Sequence, residues 1–413
     1  MSSVEDLLAQ LAPGGVSHIS LGELARTVPG LTGKTKSDFT DGNARYVSYK
    51  NVFAHPTVDQ AASDFVKMAP AERQNRLRRG DVVITGSSEN FEDVAMSSVV
   101  VQEPSEPLYL NSFCFAVRFN DPQLYLPDFS KHLFRSHRLR SQIRLTASGV
   151  TRVNVSKPRF LKTVLPVPPL EVQREIVRIL DNFTELETEL EAELEARRRQ
   201  YAHYRDDLLG GRSPGPDWRP MGDVGVFTRG RRFTRADVVE GGIPSIHYGE
   251  IYTHYGVVAE VSVRQIREDL RFQLRFAMPG DLVIASVGET VEDVGKSVAW
   301  LGDEPVAIHD DTFGFSHSLE PKFVAYWMQT DAFHSQKTRH VASAKIKRLS
   351  SSALATILMP VPPVEEQRRI VESLDKFDAL VNDISIGLPA ELAARRKQYE
   401  HYRDKLLNFE EAS

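Results

Sequence analysis

Apolar side chains recur at steps of three and four along two long stretches of the chain. In the first, Ile176, Leu180, Phe183, Leu186, Leu190, Leu194, Tyr201, Tyr204 and Leu208 fall in one line, with Arg197 filling the gap. In the second, Ile370, Leu374, Phe377, Leu380, Ile384, Leu392, Tyr399, Tyr402 and Leu406 do the same. Such a stripe predicts an amphipathic helix, and the first is long enough for about 40 residues, roughly 60 Å. Pro168-Pro169 and Pro362-Pro363 stand where each helix should begin, where a missing N–H costs nothing. Glu171, and Glu365 with Glu366, follow at once, favourable near a helix N-terminus. Gly387 and Pro389 should interrupt the second helix. A stripe of that length exceeds what one compact domain can bury, so the two helices are expected to pair with each other.

The two stretches are copies. PVPPLEVQREIVRILDNF (166–183) and PVPPVEEQRRIVESLDKF (360–377) agree at 12 of 18 positions, and RRRQYAHYRDDLL (197–209) and RRKQYEHYRDKLL (395–407) at 10 of 13. Unrelated segments would agree at roughly one position in seventeen, so the chain is an internal duplication built from two equivalent halves. The likeness reaches the globular parts. Leu21-Gly22-Glu23-Leu24 matches Met221-Gly222-Asp223-Val224, and RYVSY (45–49) matches PSIHY (244–248). GDVVITGSSENFEDV (80–94) matches GDLVIASVGETVEDV (280–294), each a Gly-Asp turn entering a buried strand. Phe113 and Phe115 align with Phe313 and Phe315, each pair expected on a further strand of its half. GGRSPGP (210–216) is a linker by composition. The expected organisation is α+β: a globular domain over 1–165, a helix over 166–210, a linker over 211–216, a second globular domain over 217–359, a C-terminal helix over 360–409 and a tail over 410–413. Antiparallel helices would place the globular domains at opposite ends of a spacer.

With 413 residues and a single cysteine, Cys114, the chain has length for two or three domains and excludes an internal disulfide or a Cys-based zinc site. No apolar run approaches the ~18 residues of a membrane span, and a cytosolic protein is expected. Net charge is −5, which argues weakly against a nucleic-acid partner until it is divided. Residues 1–165 hold 20 Lys+Arg against 16 Asp+Glu, whereas 166–210 hold 6 against 11. The negative charge belongs mainly to the helices.

Basic residues also cluster at equivalent places. Between 129 and 160 stand Lys131, Arg135, Arg138, Arg140, Arg144, Arg152, Lys157 and Arg159, and between 332 and 364 stand Lys337, Arg339, Lys345, Lys347 and Arg348, with no acid in either stretch. Each runs from an amphipathic helix into a small-residue loop, ASGVTRVN or ASAKIKRL, ahead of the Pro-Pro entry. Smaller clusters, with Lys34 and Lys36 in one half and Arg229, Arg231 and Arg232 in the other, open the two halves. The plain reading is a solvated basic face. Recurrence favours contact with a phosphate backbone, through Lys34, Lys36, Arg138, Arg140, Arg144, Arg152, Lys157, Arg229, Arg231, Arg232, Lys337, Arg339, Lys345, Lys347 and Arg348.

Signatures of catalysis are missing: the chain holds no GxGxxG, Walker loop or HExxH, and no [DN]PP[YFW] of the kind that positions a flipped adenine. Glu320-Pro321-Lys322, with Asp310 and Asp311 upstream, resembles a nuclease triad but has no counterpart in the first half. Glu92-Asp93 and Glu292-Asp293 read as turn contacts rather than an acid/base pair. The sequence is that of a binder. A coiled-coil scaffold with two protein-binding modules is the rival to a DNA-binding protein.

Two basic α/β domains alternating with matched helices that open PxPPxExQ and close RRxQYxHYRDxLL resemble the specificity subunit of type I restriction–modification systems. The resemblance spans essentially the whole chain. It implies that each globular half is a target-recognition domain for one part of a bipartite, asymmetric double-stranded DNA site, and that the helices form an antiparallel spacer. It implies two docked methyltransferase subunits as partners, which carry S-adenosylmethionine, and motor-nuclease subunits in the full complex. This chain itself would hold no cofactor and no metal. Arg197, Tyr201, Tyr204, Arg395, Tyr399 and Tyr402, at the helix ends, are then expected to dock the partner subunit.

Overall fold

The computed structural model describes residues 2–62, 64–210, 217–341, 346–382 and 387–412. Lys345, Ile384 and the linker segment 211–216 lie outside the described residues. The chain divides into two compact units, Met1–Leu190 with Leu392–Ser413, and Glu191–Glu391. Each unit collects one globular half and one stretch from each helical segment, because the helices pair antiparallel within it.

The first stripe forms a single helix, Leu170–Leu209, of 40 residues. The second forms two, Val364–Asn382 and Gly387–Leu406. The latter opens on Gly387 at φ 67°, a left-handed conformation that a right-handed helix does not run through. In the first unit Phe183 stacks on Tyr402 with ring centroids 5.3 Å apart, and Arg396 donates to Glu187 at 2.7 Å. Rising numbers on one helix thus oppose falling numbers on the other. In the second unit Tyr204 packs on Phe377 at 4.9 Å, and buried Tyr201 lies beside Asp378.

The globular part of the first unit is built on an antiparallel sheet in the order Ala25–Pro29, Cys114–Phe119, Val82–Thr85, Ser97–Val99. Val82–Thr85 is buried on both faces, which is why it reads as an unbroken apolar run. Alternate side chains feed two cores: Val82, Ile84, Phe115 and Val117 pack against the long helix through Val172, Ile176 and Leu180, while Val83 and Ala116 face Val47, Val52 and Leu110. The second unit repeats the order with Gly225–Arg229, Thr312–His317, Leu282–Ala285 and Ser297–Trp300. The Gly-Asp turns are as expected. Gly80 (φ 87°) and Gly280 (φ 95°) take left-handed backbone, and Asp81 and Asp281 accept from the amides of Arg78 and Met278.

The register corrects one expectation. Ile84 faces Phe115, and Ile284 faces Phe313. Phe115 therefore corresponds to Phe313, while Phe113 corresponds to Asp311 and lies outside the strand, 56% exposed.

Two polar devices, each present in both units, fix the long helix against the short helix, Pro127–Leu133 or Pro321–Trp327, and the loop that leads into it. Gln173 is fully buried, its amide donating to the carbonyls of Leu124 and Pro168 and its oxygen accepting from the amide of Leu126. Gln367 does the same with the Pro362 carbonyl and the Glu320 amide. The second device is an aspartate two residues before the Phe. Asp181 accepts from Lys131 at 2.8 Å and from His132 Nε2 at 2.7 Å, and His132 Nδ1 accepts from the Tyr399 hydroxyl at 2.9 Å. Burial holds His132 below its usual pKa, so it is the neutral ring that bridges. Burial opposes ionisation of Asp181, but the bonds from His132 and Lys131 outweigh it and keep its carboxyl low. Asp375 accepts from Lys322 at 2.8 Å and from the Tyr326 hydroxyl at 2.7 Å. Replacing either aspartate by Ala strands two donors, and each change is expected to cost about 1–3 kcal/mol. Urea unfolding should register the loss from Asp181→Ala in the first unit and from Asp375→Ala in the second.

Candidate nucleic-acid interface

The structure sorts the basic residues into those that turn inward and those that face solvent. Lys337 is the clearest of the first kind. It is fully buried, and its ammonium donates to the carbonyls of Glu292 (2.8 Å) and Val294 (2.6 Å). Burial brings its pKa down to about 8. Arg140, 8% exposed, donates to the carbonyls of Ala95 (2.6 Å) and Glu92 (2.9 Å), and burial lowers it to about 10. Both hold the same loop of their own unit, the one that follows the Glu-Asp pair, though from different helix positions. Arg140 sits four residues after its N-cap Ser136, and Lys337 seven after Thr330. That loop is a turn, as the paired carboxylates suggested: Asp93 bonds Asn90, and Asp293 bonds Thr290. The recurrence of a basic helix in both halves thus has a structural cause, and Arg140 and Lys337 are removed from the candidate DNA surface.

Three others are also engaged. Lys34, its side chain 8% exposed, pairs with Glu72 at 2.6 Å and donates to the Lys67 carbonyl. Hydrogen bonds from Lys34, then Gln74, hold the Glu72 carboxyl down to about 2. Arg138 donates to Asn408 and to the Phe409 carbonyl, tying the C-terminal segment down. Arg144 remains exposed while reaching the Glu92 carbonyl at 3.2 Å.

The outward group is Lys36, Arg152, Lys157, Arg229, Arg231, Arg232, Arg339 and Arg348, all exposed, with Lys347 half-buried. Lys157 lies over the Phe115 ring at 5.2 Å, and Arg229 donates to the Asp310 carbonyl at 2.9 Å. The structure brings three of these to equivalent ribbons. Arg152 precedes Val153–Val155, which pairs with Ser87–Ser88, and Lys347–Arg348 pairs with Val287–Gly288. Arg348 stands 3.7 Å from Asp311.

The helix-end residues expected to dock a partner are partly used within the chain. Tyr201, Tyr399 and Tyr402 pack within their own units, Tyr204 lies against Phe377 with the rings tilted by 52°, and Arg197 faces solvent, ion-paired with Glu193. Arg395 bonds Gln398 on its own helix. Tyr201 and Tyr399 therefore help hold each helix pair together, while Tyr204, Tyr402, Arg197 and Arg395 keep exposed or half-exposed surface.

The nuclease-like triad is accounted for without catalysis. Glu320 caps the helix Pro321–Trp327, and Lys322 is bonded to Asp375. Among the described residues, one group has metal-ligand spacing, His309 with Asp310 and Asp311, ligand atoms within 4.8 Å of one another. His309 Nδ1 accepts from the Asp311 amide and Nε2 stands 3.2 Å from Asp310, so both ring nitrogens are already used. No helix among the described residues is long and apolar enough to cross a membrane.

Comparison with known proteins bears on these two units directly. A family described as the type I restriction modification DNA specificity domain matches residues 15–196 and 217–394. The chain is 31% identical over 251 residues to the specificity subunit of the type I restriction enzyme EcoR124I/EcoR124II of Escherichia coli, covering 59% of this chain and 61% of that one. It is 30% identical over 274 residues to a putative type I restriction enzyme specificity subunit of Haemophilus influenzae, covering 63% and 68%. The match thus spans about three-fifths of the Escherichia coli protein. A solved structure concerned with assembly and conformational transition of the type I R-M system superposes with a TM-score of 0.66 over 95% of this chain and 98% of the other, at 19% identity, a likeness of fold.

Proposed function

The chain belongs to the type I restriction–modification specificity family, and from that membership we propose that it is the non-catalytic subunit that reads a bipartite DNA site, one half-site per unit. The observation that carries the reading is the pair of ribbons. Each unit presents basic side chains on a short antiparallel ribbon just after its central buried strand, three-stranded in the first unit with Ala147–Ser148 as the outer strand and two-stranded in the second, and a narrow β-ribbon fits the major groove of B-DNA. The side chains differ: Arg152 beside Ser87 in one, Lys347 and Arg348 beside Val287 and Gly288 in the other. Different readers on a common frame are what an asymmetric site requires. Two weak domains held at a fixed span gain effective concentration only at the matching separation.

In this reading two methyltransferase subunits dock on the helices and supply S-adenosylmethionine and the chemistry, motor-nuclease subunits join them, and the complex works in the cytoplasm. Co-expression with the cognate methyltransferase subunit followed by methylome sequencing is the decisive test. The expected result is one bipartite motif with a fixed gap. Methylation with no such motif, or a chain that ignores the methyltransferase in co-purification, overturns the reading.

The exposed Arg231 and Arg232 lie in neither ribbon and suit backbone contact. Arg231→Ala with Arg232→Ala, in the methyltransferase complex, is expected to weaken duplex binding equally for all sequences. The slope of log K against log salt should fall by about two, close to one per phosphate contact. Anisotropy titrations between low and moderate salt check this, and an unchanged slope returns the pair to the solvated surface.

A further inference from the structure

One arginine in the first unit is built unlike a phosphate contact. The Nε–H and Nη2–H of Arg152 both donate to Ser87 Oγ, at 3.1 and 2.9 Å. Ser87 is buried and fixed in turn, its backbone carbonyl accepting from the Tyr49 hydroxyl at 2.9 Å. The guanidinium lies 5.4 Å from the centroid of the Phe113 ring. One edge of the planar group is therefore spent on the serine and its orientation is set by the ring. The end edge, one N–H from each terminal nitrogen, is left for a partner. That edge is the fork that fits guanine O6 and N7.

The surroundings separate a base from a phosphate. Arg152 borders an open cleft of about 630 Å³ whose walls include Tyr49, Phe53, Phe113, Glu89 and Asp93. Two carboxylates repel a phosphate, whereas aromatic and carboxylate walls suit base edges and exocyclic amino groups. The strand register shows that this device belongs to the first unit alone. Val153 faces Ser88 as Lys347 faces Gly288, which puts Ile346 at the position of Arg152 and Asp311 at that of Phe113.

We infer that Arg152, clamped by Ser87 and stacked on Phe113, reads a guanine in the half-site recognised by the first unit. The inference rests on the DNA-specificity reading above and goes beyond it by naming the residue, the base and the half-site. It also alters the sequence-based role of Arg152, from backbone contact to base contact.

The test uses the complex with its methyltransferase subunit and the motif found by methylome sequencing; a wild-type complex without a bipartite motif counts against the family reading, not against this step. Duplexes carrying 7-deazaguanine at each guanine of the motif, and duplexes with each base pair exchanged, are titrated against wild type, Arg152→Ala and Arg152→Lys. The expected result is one guanine, in one half-site, whose exchange weakens wild-type binding roughly 5- to 150-fold and whose 7-deaza form is also penalised. In both variants that penalty disappears, while every penalty in the other half-site persists. Arg152→Lys keeps the charge, so its salt slope should match wild type. If no guanine shows a 7-deaza penalty with the wild type, the proposal fails without recourse to any variant. It fails equally if Arg152→Ala binds more weakly with all base penalties intact and a lower salt slope, which marks a phosphate contact.

Discussion

Lys337→Ala is expected to destabilise the second unit by about 2–4 kcal/mol. The fully buried stem of Lys337 packs near Phe333 and Gly295, and its ammonium is a donor to the carbonyls of Glu292 and Val294. Truncation leaves two buried acceptors without that donor, each costing about 1–3 kcal/mol, beside a cavity where the stem stood. Relief from burying an ammonium offsets part of that sum. At roughly 2–4 °C per kcal/mol for a unit of this size, the unfolding midpoint should fall by about 5–15 °C. Lys337→Met fills the cavity but supplies no donor, and should recover about half. The comparison also has a pH signature. Burial lowers the folded pKa to about 8 from an ordinary 10.5, so between those values the unfolded chain keeps a proton that the folded one has released. Stability of the wild type should therefore rise relative to Lys337→Met as pH goes from 8 to 10.5. Thermal melts across that range check both claims, and an unshifted midpoint for Lys337→Ala would return the residue to the surface.

That lysine also marks where sequence reasoning stops. Periodicity and self-similarity exposed the duplication, the 40-residue helix, the Gly-Asp turns and the break at Gly387, because each leaves a local signature in residue type and spacing. Direction does not. A basic residue on a short helix reads alike whether it points at water or at a carbonyl, and only the packed loop of residues 92–95 or 292–295 shows that Arg140 and Lys337 turn inward. The packing of the helix-end tyrosines is hidden for the same reason, since Tyr399 finds His132 across 267 residues of sequence. Gln173 and Gln367 were visible as part of a repeated motif but without a role, which appears only when the carbonyls they bond are on view. Phe113 was matched to Phe313 by its spacing from Phe115, a slip of two that leaves strand alternation undisturbed and so has no signature. Arg152 had no such signal either: ASGVTRVN set against ASAKIKRL places it opposite Lys347, and only the strand register places it opposite Ile346.

The strongest functional consequence lies in the helix. Between Phe183 and Arg197 it reads TELETELEAELEA, a four-residue repeat, and of residues 188–191 Thr188, Glu189 and Glu191 are exposed while Leu190 is half-buried. Their removal therefore takes little from the core. Leu194, buried at 7% exposure, would move to the position of Leu190 and stay near the stripe, because four residues are only ~40° from a full turn. The helix would shorten by about 6 Å, and 6 Å along B-DNA is roughly two base pairs at 3.4 Å each. DNA bending or domain tilt can absorb part of this. The expected result of deleting residues 188–191 is a recognised site with both half-sites unchanged in sequence and the gap between them shorter by about one or two base pairs. Methylome sequencing of a strain that carries the deletion beside the cognate methyltransferase reads the gap directly. Altered bases in a half-site would mean that the deletion had reached a ribbon, and an unaltered gap would mean that the helix is not the ruler.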